Sequence, residues 1–345
     1  MNASQYFILI VYLLVVFFYI IGDKIKSNGI KNLCNFFGFL ILILVVTRSE
    51  RMADYESYVY DFTNKYYSLG NEPTFTIIKY LVQNIFKTFY AGFIIYALLS
   101  VGLRIHYINK YRKIAIACIL VYLSNMVILQ DMIAIRSAVA AAILLYVINA
   151  KNNGQLLKCC LLIFLGVLFH YSALIFVIIL LMDSKKPHSW LYISAMITSY
   201  VVVIAGYTFA AILGSALGDG MIPFHFLNYE NTTLNIFNLL QIGHLLICVF
   251  AWVNIERIQQ RFPQSLLFLK VYTLGVCLLP LFSDLISVGI RLSELFLSVE
   301  IVLVPMIFAG SIRTKAIQKI TLIAYTAIIL FFNIINLQYW DSANY

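Results

Sequence analysis

Charge is what this sequence has least of. Lys, Arg, Asp and Glu make up 11% of its 345 residues, against about 25% in an ordinary soluble domain, and 62% of the chain is hydrophobic. A water-facing surface of normal polarity cannot be built from that composition, so the main solvent must be a bilayer. The apolar runs lack the alternating polar positions of a barrel strand, which excludes an outer-membrane barrel and leaves spanning helices. Metal and hydrolase signatures are missing too: there is no HExxH and no GxSxG, and the stretch from Gly214 to Gly220 has no lysine to hold a phosphate. The six cysteines, Cys34, Cys118, Cys159, Cys160, Cys248 and Cys277, sit in apolar stretches without metal-ligand spacing and read as packing residues. No cofactor and no metal is expected. The first apolar run, Tyr6 to Ile21, is followed by no small-residue cleavage pattern, so it reads as a retained span rather than a removed signal.

What is present is a succession of apolar runs. Candidate spans fall near residues 5–22, 33–47, 89–103, 113–130, 134–150, 156–169, 171–182, 189–213, 236–254, 265–282, 290–310 and 319–337. The expected fold is an all-α integral membrane protein, a polytopic bundle of about twelve transmembrane spans forming one domain over 1–345. Most of the Lys and Arg lie in the connections 23–32, 104–113, 151–158, 183–188, 255–264 and 311–319, while the other connections hold Asp54, Asp61, Asp131, Asp219, Glu230 and Asp284. The net charge of +9 is therefore a cytoplasmic-side signal, not a nucleic-acid surface, and it places both termini outside. Residues 156–182 are too long for one span and too short for two full ones. Two short helices meeting at His170 near the outer face are expected there. Two outer connections have some size, 48–88 and 214–235. In the first, Tyr55, Val59, Phe62 and Tyr66 share one helical face, with Asp54, Tyr58, Asp61 and Lys65 on another. After Pro73, the residues Phe75, Ile78, Val82, Ile85, Phe86 and Phe89 recur opposite Lys79, Gln83 and Lys87. Short amphipathic helices on the outer leaflet follow.

A charge at membrane depth is costly unless it is paired or wet, so the few such groups are the functional candidates. Arg48 ends the second span, Arg136 begins the fifth and Arg291 begins the eleventh, all at the outer edge in this topology. One such arginine reads as easily as snorkelling; three at the face with fewest cations read as a site. Ser287, Arg291, Glu294 and Ser298 form one polar stripe, and Ser137, Ala138, Ala140, Ala141 and Ala142 let a neighbouring helix approach behind Arg136. Glu300 lies deeper, on the opposite face. Guanidinium groups donate paired hydrogen bonds and stay charged when partly desolvated, which suits a phosphate or diphosphate. The nearby Tyr55, Tyr58, Tyr60, Tyr66 and Tyr67 suit either sugar faces or an interfacial aromatic belt.

Thr47-Arg48, Asp54-Tyr55 with Tyr58, Glu72-Pro73-x-Phe75, Arg136 with its Ala-rich helix, the run Phe169 to Leu174 around His170, and Arg291 ahead of a late span together resemble the EpsG family of bacterial exopolysaccharide proteins. That family is related to Wzy-type O-antigen and capsule polymerases. The resemblance covers nearly the whole chain, least so over 183–285. It implies a metal-independent glycosyltransferase in the bacterial plasma membrane, passing an undecaprenyl-diphosphate-linked glycan to another lipid-linked repeat unit at the outer face. A flippase and a chain-length regulator of the same pathway are the implied partners. In that reading Arg136 and Arg291, with Arg48 or Arg51, hold diphosphates, His170 or Asp54 assists the acceptor hydroxyl, and Tyr55, Tyr58 and Glu294 support them. A glycan ligase, a glycolipid flippase or other transporter, and a membrane-bound O-acyltransferase are the rival readings.

Overall fold

The computed structural model describes residues 2–66, 70–207 and 235–335. Tyr67, the loop over 214–234 and the last residues of the final expected span lie outside that set. The regular structure of the described residues is helical, with no strand. In chain order the helices are α1 (Ala3–Ile21), α2 (Ser27–Val46), α3 (Tyr55–Thr63), α4 (Pro73–Leu81), α5 (Tyr90–Ile108), α6 (Ala115–Ser124), α7 (Ile135–Asn152), α8 (Leu156–Phe169), α9 (Ile178–Leu181), α10 (Ser189–Ile204), α11 (Leu239–Val253), α12 (Ile255–Arg261), α13 (Ser265–Leu281), α14 (Ile286–Leu297), α15 (Glu300–Ser311) and α16 (Lys315–Ile335). Among the described residues four segments, Ala3–Lys24, Ser27–Val46, Tyr90–Tyr111 and Lys315–Ile335, are long and apolar enough to cross a membrane, and three interrupted helix pairs raise the number to seven. The twelve crossings expected are not confirmed by this count, and parts of the expected spans 189–213 and 319–337 lie outside the described residues. Beside these stand short apolar helices of 10–17 residues, α8, α10 and α13 among them.

The chain forms two compact units, residues 1–180 with 300–345, and residues 181–299. In the first, every residue of α6 is buried, so this helix is the core around which α1, α2, α15 and α16 pack. A helix apolar on every side is what a central position demands. It ends at Asn125, whose side chain donates to Glu300 Oε1 at 2.6 Å and accepts from Asn333 Nδ2 at 2.9 Å. Glu300 is thus a fully buried member of a polar cluster that closes the broken end of α6. A π-helical turn, Val127–Ile133, follows. In the second unit α13 is buried along most of its length and packs against α10, α11 and α14. There Ser293 Oγ donates to Gly275 O at 2.7 Å.

Several side chains lie elsewhere than the sequence suggests. Arg104 is not in a cytoplasmic connection and Asp131 is not in an outer one. Arg104 lies inside α5 with its side chain fully buried, and its Nη1 donates to Asp131 Oδ1 at 2.5 Å. Its Nη2 reaches Gln130 Oε1 and, at 3.1 Å, Ala138 O, while the Tyr122 hydroxyl donates to Asp131 Oδ2 at 2.7 Å. The pair therefore ties α5, α6, the π-helical turn and the first turn of α7 together. On α3 the buried face is Tyr55, Tyr58 and Phe62, so Tyr58 packs inward instead of lying on the polar face. Lys79 is also buried, with Nζ donating to Tyr66 O at 2.7 Å. Both shifts have one cause: α3 and α4 pack on the protein through Phe62, Phe75 and Phe93. Breaking a buried ion pair from one side strands a charge at a cost of roughly 3–5 kcal/mol, whereas a well-packed apolar pair of similar volume can be neutral. Asp131→Leu is therefore expected to lower the melting temperature in detergent sharply, and adding Arg104→Met is expected to restore much of it.

Candidate functional site

The site grows from a chain reversal. α8 ends at His170, whose backbone is extended (φ −157, ψ 118), and a 3-10 turn, Tyr171–Val177, leads into α9. The chain turns back on itself, because a Cβ on Gly166 would lie 3.4 Å from Ala173 Cβ. The returning limb ends where Leu180 O accepts from Lys151 Nζ at 2.6 Å, beside the far end of α7. His170 is therefore the tip of a helical V, as expected from the awkward length of 156–182. The tip is fastened to the start of α4: Thr74 Oγ1 donates to Leu168 O at 2.7 Å, and the Tyr171 hydroxyl donates to Asn71 O at 2.9 Å.

At this junction Glu72 stands just before Pro73, which occupies the first helical position of α4. Its side chain makes no capping bond to that helix; it points into the protein, 5% exposed. Oε2 accepts from Arg136 Nη1 at 2.7 Å, and Oε1 lies 3.0 Å from His170 Nδ1. Burial pushes the Glu72 pKa up, but the His170 hydrogen bond and the Arg136 charge outweigh it and hold the carboxyl below its ordinary 4.5. An ionised Glu72 can only accept, so Nδ1 must carry the proton, and in the neutral ring Nε2 becomes the basic nitrogen. Nε2 is buried and has no hydrogen-bond partner.

The Arg136 guanidinium lies over Phe75 and Tyr58, at 5.0 and 5.8 Å from their ring centroids, and its side chain remains 24% exposed. Arg48 belongs to the same aromatic patch: it lies 4.2 Å over Phe93, which stacks on Tyr55 at 5.2 Å and meets Tyr58 edge-on. Arg48 Nη1 donates to Met132 O at 2.6 Å, whereas Nε and Nη2 are buried without partners. Burial pulls its pKa down to about 10, which leaves it a cation at neutral pH. Between the two arginine candidates, Arg48 is built into the patch and Arg51 is exposed. Asp54 sits at the start of α3 in the left-handed region (φ 63), and the carboxylate on His170 is Glu72. Arg291 belongs to the second unit and is exposed on α14, with Ser287 exposed, Glu294 half-buried and Ser298 buried along its stripe. Sequence reasoning missed Glu72 as a site residue. The signal available was an acid directly before a helix-starting proline whose neighbours are all apolar or neutral.

A helical membrane protein with an Arg–Glu–His cluster where an amphipathic helix meets the tip of a broken helical pair is the class that fold and site define. The model of the EpsG family matches residues 31–344, and the chain belongs to that family. No curated protein and no solved structure matches it.

A carboxylate whose pKa is depressed by folding stabilises the fold above its unfolded value, and that contribution disappears as pH falls through the folded value. The melting temperature in detergent is expected to drop as pH is taken below about 4.5, the ordinary value for Glu72. Glu72→Gln should start from a lower plateau and lose less over the same window; equal acid slopes in the two proteins would contradict the arrangement.

Proposed function

We propose that the protein lengthens a polysaccharide at the outer face of the bacterial plasma membrane, moving an undecaprenyl-diphosphate-linked glycan onto a second lipid-linked repeat unit. The observation that carries this reading is His170 held by Glu72 with its second ring nitrogen unpartnered, beside the partly exposed guanidinium of Arg136. In the step proposed, Nε2 of His170 takes the proton from the acceptor sugar hydroxyl. The hydroxyl oxygen bonds to the donor's anomeric carbon as that carbon's bond to the diphosphate breaks, and the electron pair leaves with the diphosphate. Arg136 offers its outer N–H groups to the departing oxygens, and Arg48 adds a second cation whose Nε and Nη2 await acceptors. Diphosphate is already a good leaving group, so positioning two lipids, holding the charge and removing one proton are sufficient. Nε2 is covered in this state, so the acceptor must displace its cover before proton transfer.

Purified protein supplied with lipid-linked repeat units tests the reading, with chain length read on a gel. Wild type should yield a ladder of lengthened products without added metal. His170→Ala should lower the rate by about 10²–10⁴-fold, the usual worth of a general base. Arg136→Lys, which keeps charge but loses the planar fork, should shorten chains strongly. A ladder of normal length and rate from both variants would refute the assignment, and a protein that moves lipid between leaflets without lengthening chains would make it a transporter.

A further inference from the structure

Along α2 and α5 the first unit has a second feature, away from the Arg–Glu–His cluster: a groove of about 610 Å³. The two helices run antiparallel. A Cβ on Gly38 would come within 2.7 Å of Ile105, and the Asn109 amide donates to Asn35 Oδ1 at 2.9 Å. This register puts Lys31 of α2 at the end of the groove where Lys110 and Arg112 follow α5, and puts Leu42 near Leu98 at the other end. The three cations are exposed, and Phe39 and Leu98 on the apolar wall are 58% and 52% exposed. From Lys31 to Leu42 is about 16 Å of helix. Midway lies Gly102, where a Cβ would meet nothing within 4 Å. Close packing against α2 does not require that glycine, and its missing side chain keeps the groove open.

Cations at one end and an apolar wall running away from them describe the seat of an amphiphile with an anionic head. We propose that this groove binds an anionic phospholipid, its phosphodiester between Lys31, Lys110 and Arg112 and an acyl chain along Phe39, Leu42 and Leu98. Two of the cations are already placed. Lys110 Nζ lies 4.8 and 4.7 Å over Tyr107 and Tyr146, and Arg112 Nη1 donates to Ser27 Oγ at 2.9 Å. Less side-chain freedom is then lost on binding. Lys31 and Arg48 are separated by about 25 Å of helix, close to the thickness of a hydrocarbon core of about 30 Å. The groove therefore serves the leaflet opposite Arg48, and clustered Lys and Arg at a membrane face are what an anionic leaflet attracts.

Native mass spectrometry of the full chain in neutral maltoside tests this independently of polymerisation, with dioleoyl-phosphatidylglycerol and dioleoyl-phosphatidylcholine as probes. One phosphatidylglycerol should be retained at concentrations where phosphatidylcholine is lost. Lys31→Gln with Arg112→Gln should weaken retention at least tenfold, Gly102→Leu should weaken it with all cations intact, and the control Lys87→Gln, before the opposite end of α5, should leave it unchanged. Should Gly102→Leu fail to fold, the double charge variant decides. Equal retention of both lipids, or unchanged phosphatidylglycerol binding in the charge variant, would overturn the proposal. Displacement by an equimolar polyprenyl monophosphate would also overturn it, by making the carrier lipid the occupant.

Discussion

The Glu72 carboxylate makes two contacts, and most of the candidate site depends on them. One oxygen meets Arg136 and the other meets His170, so a single buried anion orients a guanidinium and an imidazole that come from different helices. Neither contact is sustainable alone. A buried carboxylate without Arg136 would be an uncompensated charge, and a histidine without Glu72 would have no preferred tautomer. The fold brings the three together by placing a proline-started helix, the first turn of an Ala-rich helix and the tip of a broken helical pair at one junction.

Behind that junction lies a second layer of charge. Arg104 and Asp131 are fully buried and hold the π-helical turn whose Met132 carbonyl accepts from Arg48. Arg104 also reaches the Ala138 carbonyl, two residues beyond Arg136. One deep ion pair thus connects the backbone around both site arginines. The aromatic patch of Phe93, Tyr55, Tyr58 and Phe75 lies beneath the two guanidinium groups; it shields them from water without neutralising them, which strengthens their pull on an incoming anion.

Hydropathy and length were enough to read a helical membrane protein, and the length of 156–182 together with Lys158 and Lys185 flanking it on the same expected side pointed to a chain reversal at His170. Pro73 marked the start of α4 for the same local reason that it occupies that position. What periodicity could not show was pairing. Arg104 looks like a loop cation because hydropathy windows end spans at charges, yet its partner is 27 positions away and only the fold brings it near. Lys79 and Tyr58 were assigned to wet faces because amphipathic patterns assume water on one side, whereas here packed protein covers both. Glu72 was legible as a helix start and not as a ligand. Its neighbours Arg136 and His170 were each recognised separately, but nothing in their spacing says that one carboxylate lies between them. The count of crossings is less legible: among the described residues four segments, or seven with the bent pairs, are long and apolar enough to span, and shorter apolar helices stand beside them.

The central claim is that Glu72 fixes the proton of His170 on Nδ1 and leaves Nε2 as the base. Nitrogen-15 NMR of histidine-labelled protein reads this directly, with the His170 signals among the five histidines assigned by their loss in His170→Gln. The account predicts that the neutral His170 ring carries its proton on Nδ1 and that Glu72→Gln weakens this preference. A neutral ring with the proton on Nε2 would contradict it.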